Sequence, residues 1–254
     1  MTPQSELALA WSERLRAVYG EDLGRGAPVV HVAAVASAPG GHLPVLATGS
    51  GAPATATDAF ALEAARARVD AIVTTGEILR REAKLSHELS RESAAWRREV
   101  LGSDRPALVV VLTRRPEEAA SHLALASGPR VVLTPSTRLA TSSIAGIRVL
   151  ERRFDSLAGA LALLANECAA RSISVEAGPH TARELYRGAA PLVDELLLSI
   201  YEGPPLAPAA SVGEFATAAE LGAVLGAPVH EHVETAGGIP WRFRRYLRSS
   251  SPRT

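Results

Sequence analysis

Residues Ser172 to Pro204 read SISVEAGPHTARELYRGAAPLVDELLLSIYEGP. The first seven form a short apolar run that ends on a carboxylate, Glu176, and a glycine, Gly178, as a buried strand can. Pro179 follows where a first-turn proline suits a helix start, and Gly188 can cap the end of that helix. VDELLLSIYEGP reads as a second strand closed by Gly-Pro. A strand that passes through a glycine into a helix N-terminus brings backbone N–H groups to the end of a sheet, where they bind phosphate well. An ordinary strand–helix–strand unit with no ligand has the same pattern.

Upstream, Ser156 to Ala170 places Leu157, Leu161, Leu164 and Cys168 at helical spacing. IRVLER before it is a short strand. Arg130 to Thr134 is another, with the hydroxyls of Thr134, Ser136 and Thr137 at its end. PALVVVLTRRPEE is a buried strand ending in Thr113-Arg114-Arg115. A guanidinium there suits a bidentate phosphate contact, and two plain surface arginines would read the same way. From His87 to Leu101, Arg91, Arg97 and Arg98 alternate with Glu88, Glu92 and Glu99, the pattern of a solvated helix face. Val69 to Thr74 reads as a strand. Thr75-Gly76-Glu77 is then the turn into a short helix, a natural dinucleotide contact. Thr57 is a good N-cap for the preceding helix, and Asp58 favours the positive end of its dipole.

APGGHLPVLATGSGAPATAT, ahead of that helix, is a long loop of the kind that often carries function. Val29 to Ser37 is a buried strand, and His31 on it reads as a core histidine. Ser5 to Tyr19 forms an N-terminal helix that Gly20 can end. Beyond Gly203 come a loop with a short helix and a hairpin turning at Ala236-Gly237-Gly238. His230 and His232 share one face of its first strand, but no third metal ligand accompanies them, so no metal site is expected. SSSPRT reads as a frayed end.

The chain has 254 residues, is 47% hydrophobic and carries zero formal charge. It can bury a sizeable core. The charge balance makes no case for nucleic acid or an anionic membrane as partner. The single cysteine, Cys168, excludes an intramolecular disulfide framework. No apolar stretch is long enough to span a bilayer, and MTPQSELALAW has no positive n-region. The simplest reading is a soluble cytoplasmic protein. Strands alternating with helices, then a hairpin, argue for an α/β fold with a mainly parallel sheet and an antiparallel edge.

Val175, Glu176, Gly178, Pro179, Leu185, Leu192, Val193, Asp194, Glu195 and Leu196 resemble the VEGGP...L...LVDEL segment of the pyrimidine reductase domain of bacterial riboflavin biosynthesis, in the dihydrofolate-reductase-like superfamily. ARARVDAIVTTGEILRREAKL is similar to that family's LRAxxDAILVGAGTVRxD, and WRFRRYL to its last strand. Three departures stand out. Ala177 replaces the first glycine of the pair that lets the backbone approach a pyrophosphate. Glu77-Ile78 replaces Gly-Thr. Ser37-Ala38-Pro39-Gly40-Gly41-His42 stands where the family has SLDGK, so its acid and lysine are missing.

The resemblance implies a dihydrofolate-reductase-like domain over residues 28–248, after an N-terminal helix and linker (1–27) and before a tail (249–254). It implies an NADPH-dependent reductase of a heterocyclic, pyrimidine- or pterin-like small molecule. Gly178 and Pro179, with Thr75, Gly76, Thr113 and Thr134, would contact the cofactor, and Arg114 or Arg115 its 2′-phosphate. Glu176 would lie at the nicotinamide or substrate as the catalytic-site carboxylate. Ser37 and His42 take the substrate positions, although His42 also reads as a solvated loop histidine. A homodimer is expected, with the apolar strand Leu196 to Tyr201 needing cover. The alternative is a non-catalytic nucleotide-binding or scaffold homologue, which the missing acid and lysine favour.

Overall fold

The computed structural model of the protein describes residues 2–20, 23–47, 51–188 and 190–249. The SSSPRT end lies outside them except for Ser249, as do parts of the linker and of the long loop. Helix α1 (Pro3–Tyr19) precedes strand β1 (Val29–Ala36). Next come α2 (Ala56–Arg68), β2 (Ala71–Thr75), α3 (Gly76–Arg81) and α4 (Arg91–Leu101). The chain continues through β3 (Leu108–Leu112), α5 (Pro116–Ala120), β4 (Arg130–Pro135), β5 (Thr141–Ile144), β6 (Ile147–Arg152) and α6 (Leu157–Glu167). It closes with β7 (Ile173–Val175), α7 (Pro179–Ala182), β8 (Glu195–Tyr201), α8 (Ala218–Leu225), β9 (His230–Ala236) and β10 (Ile239–Leu247).

All the described strands join one sheet in the order β5-β6-β4-β3-β2-β7-β1-β8-β10-β9. The run from β6 to β8 is parallel, and β5, β9 and β10 are antiparallel additions at the two margins. This is the α/β architecture expected, with the C-terminal hairpin at one edge. The chain steps outward from β2 to β6, then returns to insert β7 between β2 and β1. That reversal leaves a crevice beyond the carboxyl ends of β1, β7 and β2, where open α/β sheets bind ligands.

Alternation along each strand sorts the core onto two faces. Val30, Val32, Ile72, Leu197 and Phe243 pack under α1, α2 and α4. Val35, Val73, Leu133, Leu196 and Leu198 pack against α6 and α8 on the other face. Farther out, Val109, Val111 and Val132 meet Leu79 of α3 and Ala119 of α5. The central strands are covered on both sides, which is why VDELLLSIY is a continuous apolar run.

Several local readings shift. The N-cap of α2 is Thr55, whose side chain accepts from the Asp58 N–H, while Thr57 is buried and donates to Glu234 at 2.7 Å. Helix α4 starts at Arg91 behind the Ser90 cap, and Arg97 does not belong to a solvated face. It is buried, donating at 2.8 Å to the carbonyls of Ala67, Val69 and Arg105, so its charge closes the end of α2. The helix after Pro179 is one turn followed by a 3-10 turn, and it ends before Gly188. Strand β5 has no counterpart in the sequence reading. Its hairpin turns at Ala145-Gly146, both at positive φ (50° and 76°), and alanine in that conformation gives no turn signal.

Strand β8 pairs with β1 on one side and β10 on the other. It therefore needs no cover from a second subunit, and the open sheet margins are β9 and β5. At its start, Glu195 is buried and gripped by Arg68 at 3.1 and 3.0 Å and by Arg245 at 2.8 Å. Burial would raise its carboxyl, but the two guanidinium groups hold it below the usual range. Asp194 accepts the Val29 N–H at 3.0 Å. The Asp-Glu pair is thus a structural clamp at the amino end of the sheet. No helix among the described residues is long and apolar enough to cross a membrane.

Candidate active site

Glu176 comes directly after β7, and its N–H bonds the Val73 carbonyl at 2.8 Å. Strand alternation turns its side chain toward α2, where Arg66 meets it with two bonds, 2.8 Å from Nε and 2.6 Å from Nη2. The remaining Arg66 nitrogen, Nη1, donates to the Ser86 carbonyl at 3.0 Å. Burial pushes the Glu176 carboxyl up, and the Arg66 charge and hydrogen bonds more than offset it, so the group stays below its ordinary range. His87 lies behind the pair, with Nε2 3.6 Å from Glu176 Oε2. Neither of its ring nitrogens has a hydrogen-bond partner among the described residues. Burial holds it mainly neutral, with its pKa lowered.

Glu176 lines a cavity of about 420 Å³. Its α2 wall is Asp58, Leu62 and Arg66, spaced four apart on one helix face. Thr74, Glu82 and Phe215 line it as well. His31 also lines it, bonded to the Tyr186 hydroxyl at 2.7 Å and edge-on to Phe215 at 4.8 Å. Burial lowers its pKa to about 3, so it is a neutral, satisfied core histidine. Asp58 is different. Burial raises its carboxyl despite a lowering contribution from Ser199, and no ion pair to it is found among the described residues. A carboxyl whose folded pKa exceeds its unfolded value costs stability above that folded pKa and recovers it as pH falls. Asp58→Asn is therefore expected to raise the melting temperature at neutral pH and to lose that advantage in acid. A lowered melting temperature at neutral pH would contradict this placement.

A second cavity of about 640 Å³ lies over the ends of β2, β3 and β4. Thr75, Gly76, Thr113, Arg114 and Arg115 all line it, joined by Arg80. Thr75 caps α3 by accepting the Ile78 N–H at 3.3 Å. A Cβ on Gly76 would stand 2.6 Å from Thr113 Oγ1, so this glycine serves close packing of the turn. Arg114 and Arg115 are exposed; Arg115 reaches Glu118 at 3.0 Å and Arg80 reaches it at 3.5 Å. Gly178 and Pro179 border the first cavity, and Thr181 two residues on borders the second. A Cβ on Gly178 would meet nothing within 4 Å.

Thr134 is buried within β4, and its neighbour Pro135 lines the second cavity instead. Ser37 and His42 line neither cavity. Ser37 is exposed, with its N–H on the Tyr201 carbonyl, and His42 is an exposed loop histidine 3.1 Å from Glu214. His232 of the hairpin lies 3.8 Å from Glu234. The sequence reading gave no site role to Asp58, Arg66, Arg80 or Glu82. The i, i+4, i+8 spacing of Asp58, Leu62 and Arg66 was the available signal for the first two.

Residues 40–203 match the model of the RibD C-terminal domain. The chain belongs to the RibD C-terminal domain family. The match takes in both cavities' principal residues, from Asp58 through Gly178. Among solved structures, a pyrimidine reductase-like protein from Corynebacterium diphtheriae is 21% identical, with a TM-score of 0.65 over 93% of this chain and 98% of that one. RibD of Acinetobacter baumannii is 18% identical at a TM-score of 0.55, over 89% of this chain and 59% of that one. Riboflavin biosynthesis reductase Rib7 of Saccharomyces cerevisiae is 10% identical at 0.53, over 92% and 98%. At such identities these likenesses establish the shared fold. No curated protein sequence matches the chain.

Proposed function

We propose that the protein is an NADPH-dependent reductase of a small heterocyclic, pyrimidine-like compound. The observation that carries this reading is the pair of cavities along the carboxyl ends of the central strands. One end offers three guanidinium groups and the other a carboxylate-lined chamber, with Gly178 and Pro179 bordering the latter. The donor set fits the cofactor at Arg114, which has no ion pair among the described residues, with Arg80 and Arg115 beside it sharing the exposed Glu118. These guanidinium groups suit the 2′-phosphate, although Glu77, Asp155 and Glu184 line the same cavity. The open space at Gly178 admits close approach of a pyrophosphate. NADPH, when bound, supplies the hydride.

The chain's own residues do the rest. The Arg66 fork holds Glu176 ionised and oriented on the wall of the first cavity. Leu62, Phe215 and the buried His31 give that cavity an apolar, uncharged surface against which a flat ring can pack. Ala177 sets a Cβ where the family has a glycine, so the pyrophosphate would lean on Gly178. A homodimer would be built on the open margin of β9 or β5. The reading is tested by following oxidation of NADPH with a panel of neutral and phosphorylated pyrimidines. Turnover with one of them supports it. Tight NADPH binding with no oxidation across the panel would favour a non-catalytic nucleotide-binding homologue, the reading to which Ala177 and the displaced Ser37 and His42 lend weight.

A further inference from the structure

The charged groups that line the first cavity are unequally committed. Of its two guanidinium groups, Arg66 spends Nε and Nη2 on Glu176 and Nη1 on the Ser86 carbonyl. Arg81 is paired with Glu77 at 2.8 Å. Two further carboxylates line the same space, Asp58 and Glu82. Among the described residues neither forms an ion pair. The loop that continues the wall has no Lys or Arg between Ser37 and Asp58. Thr74, fully buried on the cavity wall, has a hydroxyl with no hydrogen-bond partner among the described residues. A buried hydroxyl without a protein partner is one that a water or a bound molecule can satisfy, and Thr74 is the one such hydroxyl among the described residues that line this cavity.

These groups define the ligand by complement. A phosphate placed beside Asp58 and Glu82, away from Gly178, would find Arg66 fully bonded, Arg81 held at the surface by Glu77, and two carboxylates close by, and like charges in a partly buried space repel. A ring amine has the opposite prospect. An aminopyrimidine presents N–H donors beside a basic ring nitrogen, which donates too once it is protonated, so that a carboxylate can accept two hydrogen bonds. The apolar walls from Leu62, Ile78, Leu85 and Phe215 suit a flat ring. Asp58 is half-buried and has no ion-pair partner among the described residues, so burial raises its carboxyl despite Ser199, and a donor ligand would offset that cost on binding.

We propose that this cavity takes an uncharged or cationic, amine-bearing heterocycle without a phosphate, held by Asp58, Glu82 and the Thr74 hydroxyl. This substrate class rests on the reading of the cavity as the acceptor side of a reductase. The matched probes are cytosine, uracil, cytidine and cytidine 5′-monophosphate, titrated calorimetrically into the full chain with and without NADPH. Cytosine is expected to bind at least tenfold more tightly than uracil, and cytidine at least tenfold more tightly than its monophosphate. Asp58→Asn and Glu82→Gln, each with the wild-type circular dichroism spectrum, are expected to weaken cytosine at least tenfold and to leave the monophosphate unchanged or improved. The proposal is overturned if the monophosphate binds as well as cytidine, if both variants bind cytosine normally, or if cytosine does not bind at its solubility limit. NADPH titrated in parallel separates the two claims. Cytosine binding without NADPH binding would defeat the reductase reading and uphold the ligand class. NADPH binding with preference for the monophosphate would do the reverse.

Discussion

Arg66→Met is expected to destabilise the protein by about 3–5 kcal/mol, the range for removing one partner of a buried ion pair. The size follows from what stays behind. Glu176 is 8% exposed, and in the variant it loses both guanidinium bonds, while His87, 3.6 Å away, is held mainly neutral by its own burial. The pH dependence has a definite sign. In the wild type the Glu176 carboxyl is held below its ordinary range, so its contribution is complete above the unfolded pKa and fades as pH falls through the folded one. In the variant, burial acts alone and raises the carboxyl, so the loss should shrink on acidification. Glu176→Gln added to Arg66→Met should recover much of the deficit, because the uncompensated charge goes with it. Chemical denaturation of the two single variants and the double variant measures this directly. A loss below about 1 kcal/mol, the range of an exposed pair, would mean that water reaches Glu176 and that the pair is not the fixed centre of the site.

The second large effect concerns cofactor choice. Replacing Arg114 and Arg115 together with Ala is expected to weaken NADPH binding by about tenfold to a hundredfold, the scale of one or two lost charge-assisted hydrogen bonds. NADH, lacking the 2′-phosphate, should change little. Both guanidinium groups are exposed at the ends of β3 and the following turn, so their removal should leave the melting temperature near that of the wild type. Rising salt should erode the wild-type preference, since screening acts on exposed charges. If NADPH and NADH weaken equally in the variant, the arginines act on something other than the 2′-phosphate.

The fold was legible because its signals are local. The β-branched runs of β1, β2, β3 and β8 are long enough to stand out, and the hairpin carries Gly237-Gly238 at its turn. The resemblance from Val175 to Leu196 pointed to the strand–helix–strand unit of β7 and β8, while their order in the sheet is seen only in the fold. The site was legible only in part. Thr75, Gly76, Thr113, Arg114 and Arg115 lie at strand ends, and strand ends converge in a parallel sheet whatever the loops do, so these residues line one cavity. Asp58 and Arg66 were hidden because a helix face says which residues are neighbours but not what they face. Glu176 could be named from its motif; the partner that fixes its charge lies 110 positions away. Ser37 and His42 were drawn in by alignment with a family segment whose acid and lysine this chain lacks, and the loop carries them outside both cavities. Arg97 read as solvated from its charged neighbours, whereas tertiary packing turns it inward onto carbonyls that need a donor.

The central claim is that the groove over the strand ends binds NADPH for hydride transfer. Direct titration of the purified full chain with NADPH, read by quenching of tryptophan fluorescence or by calorimetry and run beside NADH, tests it most directly. The account predicts saturable NADPH binding at micromolar concentration, at least tenfold tighter than NADH and lost in the Arg114→Ala, Arg115→Ala variant. Equal affinity for the two dinucleotides, or no binding of either at millimolar concentration, would contradict it.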